Sequence, residues 1–463
     1  MSAQAKKLVI LIGDVVLLYA ALFFTVYLRY GDISSSTSSN YTTFQFFWVH
    51  TRAFTPLIFV WLVIFYIHNL YEITSAKNNL EFYSSLARAL VINFFSAVLF
   101  FYFASLVEVA PKRNLFIYFG IFAALFVLWR SQINNLLKRR FLVRTAVISG
   151  DDSGAHLALK LNQNPQIGYR VDFVVGRGLG GGTAGAALRF LDLSKKIDVF
   201  NLIKNEGIRA LIIDDKFLQR EALVTSLYDF VDNVEVTTID KFNERVWRKV
   251  DLKNVNQLWF LNNFASGRKV FYDVSKRAFD FCVSLALLPW VCLGGALIAA
   301  LIKLGDGGPV FYKQVRVGQK GRPFTLIKFR TMVPNAEAEG VQWTAQNDRR
   351  ITRMGRLLRK IRLDELPQSW NILKGEMSFV GPRAERPEFH QLLLEQIPFY
   401  DQRYLVKPGL TGWAQINYTY GSSVEDTKEK LAYDLYYLKN RSFIFDIGII
   451  LKTINIVLSA LGR

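Results

Sequence analysis

The sequence predicts a membrane protein that combines α and α/β structure in three parts. These are a four-helix transmembrane bundle over residues 1–143, a Rossmann-like α/β cytoplasmic module over 144–255, and a C-terminal domain over 268–463. The last carries amphipathic helices and a re-entrant membrane helix at 276–303. Three observations predict this. The first 143 residues hold four apolar runs of bilayer-spanning length. The next hundred alternate short β-like runs with helical ones. A fifth apolar run then carries Pro289 at its middle and cations at both ends.

Composition narrows the chemistry. Of 463 residues, 51% are hydrophobic, 14% aromatic and only 21% charged, which is too apolar for an ordinary soluble enzyme and excludes disorder. A net charge of +19 suits anionic headgroups, phosphorylated substrates or nucleic acid. Cys282 and Cys292 share one apolar run, and His50, His68, His156 and His390 are scattered. This leaves no disulfide framework, no zinc spacing and no histidine-based hydrolase. Chemistry falls to carboxylates and Arg or Lys.

The spans come first. Residues 8–28 follow Lys6 and Lys7 and reach the length a bilayer demands. The run is longer than a signal-peptide core, and no small-residue cleavage motif appears before Arg29, so it reads as an uncleaved span. Similar runs occupy 54–71, 86–107 and 114–130. Lys6, Lys7, Lys77, Arg88, Arg130, Lys138, Arg139, Arg140 and Arg144 place the N-terminus inside, and an even count leaves everything after Arg144 cytoplasmic. Lys112 and Arg113 run against the rule. Asp14 lies so near a helix start that it reads as snorkelling or touching a neighbouring helix rather than as a functional site. The Ser-rich 34–39 stretch reads as an external loop. Asn40-Tyr41-Thr42 and Asn417-Tyr418-Thr419 fit the glycosylation triplet, a pattern short enough to arise by chance.

From Arg144 the texture changes. Residues 145–150, 171–175 and 210–215 are short strand-like runs and 154–163 suits a helix, the alternation of an open parallel sheet. The turn Gly150-Asp151-Asp152-Ser153-Gly154 lacks the G-x-G-x-x-G spacing and puts two acids where a pyrophosphate would sit. The glycines from Gly176 to Gly185 read as a flexible loop, since no Lys-Ser/Thr pair follows them. A regulatory, spacing or dimerising module is favoured over a catalytic one.

The fifth apolar run spans Phe281 to Ile302, between Lys276-Arg277 and Lys303. Pro289 removes a helical hydrogen bond and bends the axis, so the helix is expected to return to the face it entered. Residues 349–363 place Ile351, Met354, Leu357, Leu358 and Ile361 at helical spacing, with Arg350, Arg353, Arg356, Arg359, Lys360 and Arg362 on the other face. This predicts a basic amphipathic helix for an anionic membrane surface. Asp364 and Glu365 follow directly. Two adjacent carboxylates beside many cations can divide the work of phosphoryl chemistry between a nucleophile and a divalent-metal ligand, and Mg²⁺ suits oxygen ligands and phosphates.

Seven ordered motifs then carry a resemblance. They are Lys276-Arg277-Ala278-Phe279-Asp280, Gly308-Pro309-Val310-Phe311, Gln314-Val315-Arg316-Val317-Gly318, Lys328-Phe329-Arg330-Thr331-Met332, Asp364-Glu365-Leu366-Pro367-Gln368, Val380-Gly381-Pro382-Arg383 and Lys407-Pro408-Gly409-Leu410-Thr411-Gly412-Trp413. In that order they resemble the bacterial sugar transferases, the polyprenyl-phosphate hexose-1-phosphate transferases of the monotopic phosphoglycosyl transferase class. The four spans and α/β module ahead of them are similar to the large undecaprenyl-phosphate galactose or glucose phosphotransferases.

The resemblance implies that a UDP-sugar gives its sugar-1-phosphate to undecaprenyl phosphate and releases UMP. That reaction starts an exopolysaccharide, capsule or O-antigen repeat unit at the bacterial inner membrane. It implies Asp364 as the nucleophile, Glu365 as the Mg²⁺ ligand, and Pro289 as the kink of the re-entrant helix. Arg383 is implied for the nucleotide or its phosphates, with Lys328, Arg330 and Arg359 as further anion contacts. Any of these cations could instead pair with Glu376, Glu385 or Asp434. Ala384 departs from the proline that often follows this arginine.

An alternative is an NAD-dependent membrane sugar-nucleotide dehydratase, which needs a glycine-rich fingerprint and a Tyr-x-x-x-Lys pair. Tyr169 and Tyr228 have no Lys four residues on. The spans and the carboxylate pair argue against nucleic acid as a partner, whereas anionic lipids and a homodimer fit the three-part layout. Residues 268–463 hold 29 Lys and Arg against 18 Asp and Glu, so the charge concentrates where the acids lie. No specificity pocket for the sugar can be read from the sequence.

Overall fold

A computed structural model describes residues 3–34, 42–103, 112–176, 188–192, 199–214, 234–264, 269–336, 348–418 and 423–458. The chain forms two compact units, Met1–Phe242 and Asn243–Arg463.

The first unit opens with α1 (Ala3–Ser34), α2 (Thr43–Ile67), α3 (Leu80–Phe103) and α4 (Lys112–Arg139), each long and apolar enough to cross a membrane. All four are longer than the apolar runs that predict them, because polar turns at their ends continue the helices. Thr42 and Gln45 form a capping box that starts α2 well ahead of its apolar stretch. Packing is aromatic: Trp61 stacks on Tyr118, and Phe65 on Phe126. Asp14 is fully buried and accepts hydrogen bonds from Trp129 Nε1 (3.1 Å) and Arg130 Nη2 (2.5 Å) of α4. It therefore contacts a neighbouring helix, as expected, rather than snorkelling.

A parallel sheet follows, built from β1 (Val143–Ile148), β2 (Tyr169–Gly176), β3 (Arg189–Asp192), β4 (Ala210–Ile213) and β5 (Glu235–Thr238), in the order β3-β2-β1-β4-β5. α5 (Asp152–Asn162) and α6 (Val199–Asn205) accompany the strands. β1, β2 and β4 carry the near-continuous apolar runs of strands covered on both faces. At the β1 to α5 turn, the Asp151 carboxylate accepts the Ser153 N–H at 2.9 Å and so caps the helix itself. The module is tied to the helices by Lys6 Nζ donating to Ile167 O (2.9 Å) and Gln166 Nε2 to Thr74 O (3.0 Å). The glycine-rich loop and both glycosylation triplets fall wholly or partly outside the described residues.

The second unit begins with the end of α7 (Ile239–Trp247) and α8 (Gln257–Phe264). Val250 N–H donates to Ala432 O, and Trp413 Nε1 to Arg248 O, so this stretch packs on the C-terminal elements. Next comes α9 (Val270–Asp306), 37 residues of helix with Pro289 inside. The antiparallel hairpin of β6 (Phe311–Val317) and β7 (Pro323–Phe329) leads to α10 (Arg353–Lys360) and α11 (Gln368–Lys374). The unit closes with β8 (Ser378–Val380), α12 (Pro387–Gln396), β9 (Gly409–Thr411), α13 (Trp413–Asn417), α14 (Val424–Asn440) and α15 (Phe443–Leu458).

The amphipathic helix expected over 349–363 needs correction, since only Arg353–Lys360 is helical. Before it, the chain turns at Arg349 and Arg350, where Arg350 grips Asp348 with two side-chain bonds (2.9 and 2.6 Å), and a bridge joins Met332 and Ile351. After it, Arg362 adopts a left-handed conformation (φ 59°) that ends the helix. Arg353, Arg356, Leu357, Lys360 and Ile361 remain as an exposed basic and apolar strip.

Candidate active site

The site rests on the first third of α9, where the Lys276–Asp280 motif acts as a fastener. Lys276 pairs with Asp446 of α15 at 2.5 Å. Arg277 donates from Nη1 and Nη2 to Ile372 O and Leu373 O, both at 2.7 Å, and so adds donors to carbonyls at the C-terminal end of α11. Asp280 accepts the Phe379 N–H of β8 at 3.1 Å. The far half of α9 packs on the same unit: Ile298 and Ile302 cluster with Phe329 of β7 and Leu358 of α10.

Those contacts frame the acid pair. Beyond the left-handed Arg362, a single turn (Leu363–Glu365) buries Asp364, 7% exposed, and leads into α11. Asp364 Oδ1 is enclosed without a hydrogen-bond donor. Burial raises the Asp364 pKa above the ordinary carboxylate value and Glu365 adds to the rise, while Lys328, Arg359 and Arg362 pull the other way. Glu365 faces Arg362 Nη1 at 3.3 Å and Arg383 Nη1 at 3.8 Å.

Cations come from the hairpin and the loop after β8. Register pairs Tyr312 with Lys328 and Gln314 with Leu326, and the period of two puts Arg316 on that same face. Lys328 Nζ sits 5.0 Å from the Tyr312 ring centre. Its pKa is pushed down to about 8, chiefly by burial and then by Arg316 and Arg359. Burial, with Arg383 nearby, lowers Arg316 to about 10. Arg316, Lys328, Glu365, Gln368 and Arg383 border a small cleft over a floor that includes Leu326 and Met377. Buried cations that repel one another, with few acids to balance them, are a receptor for an anion.

Two motifs lock the loop that presents Arg383. Gly381 N–H donates to Thr411 O and Gly409 N–H to Pro382 O, each at 2.9 Å. A Cβ on Gly381 would meet Lys407 O at 2.3 Å, so only glycine lets the chains approach this closely.

Of the residues the sequence nominated, Lys328, Glu365 and Arg383 line the cleft. Arg359 acts electrostatically on Asp364 and donates Nε to Thr331 Oγ1 at 2.8 Å. Arg330 is elsewhere employed: it is 6% exposed and donates to Pro309 O (2.5 Å) and Met332 O (3.1 Å), bracing the link from α9 to β6. Asp434 pairs with Arg403 and Glu376 with Asn371, so neither takes one of the nominated cations. Sequence reasoning missed Arg316 and Gln368 as cleft residues, although both lie in quoted motifs and Arg316 alternates with Gln314 along β6.

Among the described residues no three His, Cys, Asp or Glu side chains gather to hold a metal alone. Glu365 on the cleft wall, beside the unpartnered Asp364 oxygen, fits Mg²⁺, which binds through one or two carboxylates and takes phosphate oxygens and water for the rest.

Comparison with known proteins bears on this unit. Residues 271–460 match the family described as bacterial sugar transferase. The chain is 42% identical over 191 residues to the UDP-N-acetylgalactosamine-undecaprenyl-phosphate N-acetylgalactosaminephosphotransferase of Aeromonas hydrophila, covering 41% of this chain and 45% of that protein. It is 40% identical over 193 residues to the uncharacterized sugar transferase EpsL of Bacillus subtilis (41% and 90%). It is 38% identical over 208 residues to the UDP-glucose:undecaprenyl-phosphate glucose-1-phosphate transferase of Caulobacter vibrioides (44% and 78%). The match thus spans under half the length of the Aeromonas relative and most of the other two. No observation supports the dehydratase alternative.

Proposed function

The chain belongs to the bacterial sugar transferase family, and from that premise we propose that it transfers a sugar-1-phosphate from a UDP-sugar to undecaprenyl phosphate, releasing UMP. One observation carries the reading: buried Asp364 keeps an unpartnered carboxylate oxygen and is followed by Glu365, which borders the cleft with Arg316, Lys328 and Arg383.

In the first step an Asp364 oxygen attacks the sugar-bearing phosphorus. The bond from that phosphorus to the bridging oxygen breaks, and its electrons leave with UMP. In the second step an oxygen of the lipid phosphate attacks the aspartyl-phosphate phosphorus, the bond to Asp364 breaks, and the carboxylate is restored. No net proton is needed. Arg316, Lys328 and Arg383 bind the diphosphate, and Arg316 and Lys328 stabilise charge on the leaving UMP. Glu365 would hold Mg²⁺, which supplies further neutralisation of the diphosphate when bound. Splitting the transfer lets a soluble donor and a membrane-bound acceptor use one site in turn.

The proposal places the four N-terminal helices across the bacterial inner membrane and the catalytic unit on its cytoplasmic side. The re-entrant reading of α9 is supported by its contacts. In a straight helix Asp280 and Ile302 would stand about 33 Å apart, about the thickness of a bilayer's hydrocarbon core, yet Asp280, Ile298 and Ile302 touch the same unit while Leu285, Trp290 and Leu293 between them are exposed. The exposed strip on α10 suits an anionic leaflet. The α/β module, whose first turn caps its own helix with Asp151, is assigned a spacing or dimerising role.

The test is UMP release from a panel of radiolabelled UDP-sugars with undecaprenyl phosphate. Wild type should release UMP with at least one sugar and Asp364→Asn with none. Normal turnover by the variant would remove Asp364 as nucleophile.

A further inference from the structure

Arg403 and Asp434 form an ion pair at 2.8 Å, and both are almost wholly buried. Neither borders the cleft. Arg403 Nη1 also donates to the Tyr400 hydroxyl at 2.5 Å, and Nη2 donates to the backbone carbonyl of Arg383 at 3.1 Å. The next two carbonyls are held as well. Ala384 O accepts from Arg316 Nη1 at 3.0 Å, and Glu385 O from Val317 N–H at 2.9 Å. With the Gly381 and Pro382 bonds to β9, the backbone is fixed at five consecutive residues. The Arg383 side chain alone stands half-exposed at the cleft.

A buried ion pair is weak evidence for stability, because desolvation offsets the attraction. An apolar pair of equal volume would fill the space but could not hold a carbonyl. What the charged pair adds is orientation. A guanidinium held by Asp434, by the Tyr400 hydroxyl and, at 3.7 Å, by the Glu385 carboxylate presents an Nη2 N–H at one angle, and the Arg383 carbonyl is bound there.

We propose that Arg403, held by Asp434, is a positioning residue that sets Arg383 against the diphosphate of the donor. The inference rests on the function proposed above. Arg403 touches no substrate and acts through the backbone from which the Arg383 guanidinium extends, so its loss should weaken donor binding and leave the chemical step nearly intact.

The experiment is a cycle in the full-length, detergent-solubilised chain with Arg383→Gln, the paired replacement Arg403→Met with Asp434→Leu, and all three together. The readouts are KM and kcat for UMP release and the UDP dissociation constant by calorimetry, which needs no turnover. The paired variant should raise KM and the UDP dissociation constant about tenfold with kcat within about twofold of wild type. Adding Arg383→Gln should change them no further, because both changes remove one interaction. Wild-type UDP affinity in the paired variant overturns the inference, and so does multiplication of the effects in the triple variant. So does unchanged UDP affinity in Arg383→Gln when the paired variant has weakened. If the paired variant does not fold, Asp434→Asn is measured against the same outcomes. A wild-type chain that releases no UMP from any sugar overturns the reaction and leaves UDP affinity to judge the positioning. One that binds no UDP overturns both.

Discussion

Gly409 and Gly381 meet backbone to backbone: a Cβ on Gly409 would stand 2.0 Å from the Gly381 nitrogen and 2.4 Å from Thr411 O. No rotamer change relieves such a clash, since both neighbours are main chain. The Gly409→Ala variant should lose more than about 3 kcal/mol, beyond the usual range for an overpacked site, and lose UMP release with it. A thermal melt beside the assay checks this. An unchanged melting temperature would mean the two motifs are not locked together.

Lys328 gives two opposed pH trends. Its folded pKa of about 8 lies below the ordinary 10.5. Between those values the unfolded chain keeps a proton that the folded chain has released, so stability rises with pH across that window, and the penalty of the buried charge is fully present below pH 8. Donor affinity moves the other way, because a neutral Lys328 no longer attracts the diphosphate. KM for the UDP-sugar should rise above pH 8, and Lys328→Arg should move that rise to higher pH. A KM that is flat from pH 7 to 9.5 in wild type would take Lys328 out of the donor site.

Glu365→Gln keeps the side-chain shape and removes the charge. UMP release should then need at least about tenfold more Mg²⁺ for half-maximal rate, since carboxylate charge drives binding of a hard cation. A Mg²⁺ titration settles it, and an unshifted midpoint would assign Glu365 to its Arg362 and Arg383 contacts alone.

Topology can be read at the exposed Leu304, near the end of α9. With Cys282 and Cys292, both exposed on this helix, first changed to Ala, Leu304→Cys should react with an impermeant thiol reagent only from the cytoplasmic side. Labelling from the periplasm would make α9 a full span.

The sequence made the central strands legible because β1, β2 and β4 are buried along most of their length and carry short apolar runs, Ala146–Ile148, Phe173–Val175 and Ala210–Ile213. β3 and β5 escaped, being four-residue edge strands that begin with Arg189 and Glu235 and look like loop. The basic run before Asp364 read as one long helix, since periodicity cannot foresee that Arg350 turns back onto Asp348 or that Arg362 turns left-handed. At the site, the acid pair and Arg383 were legible through their motifs. Arg316 was not, because an arginine alternating with exposed residues in a hairpin resembles an ordinary solvated edge. Arg330 erred the other way: its motif is real, but its guanidinium serves two backbone carbonyls, and no linear pattern separates a cation that grips phosphate from one that grips its own chain.

If α9 enters and leaves by one leaflet, as proposed, bilayer thickness bears on the enzyme in an uneven way. A spanning helix must match the hydrocarbon thickness around it, and mismatch is relieved only by tilting or by deforming the lipid. A helix that enters and leaves by one leaflet has no such length to match; in α9, Pro289 and the packing of Ile298 and Ile302 would then set how deep it reaches. The catalytic unit would therefore keep its height above the surface in thin and thick bilayers alike, while the four N-terminal helices feel the difference.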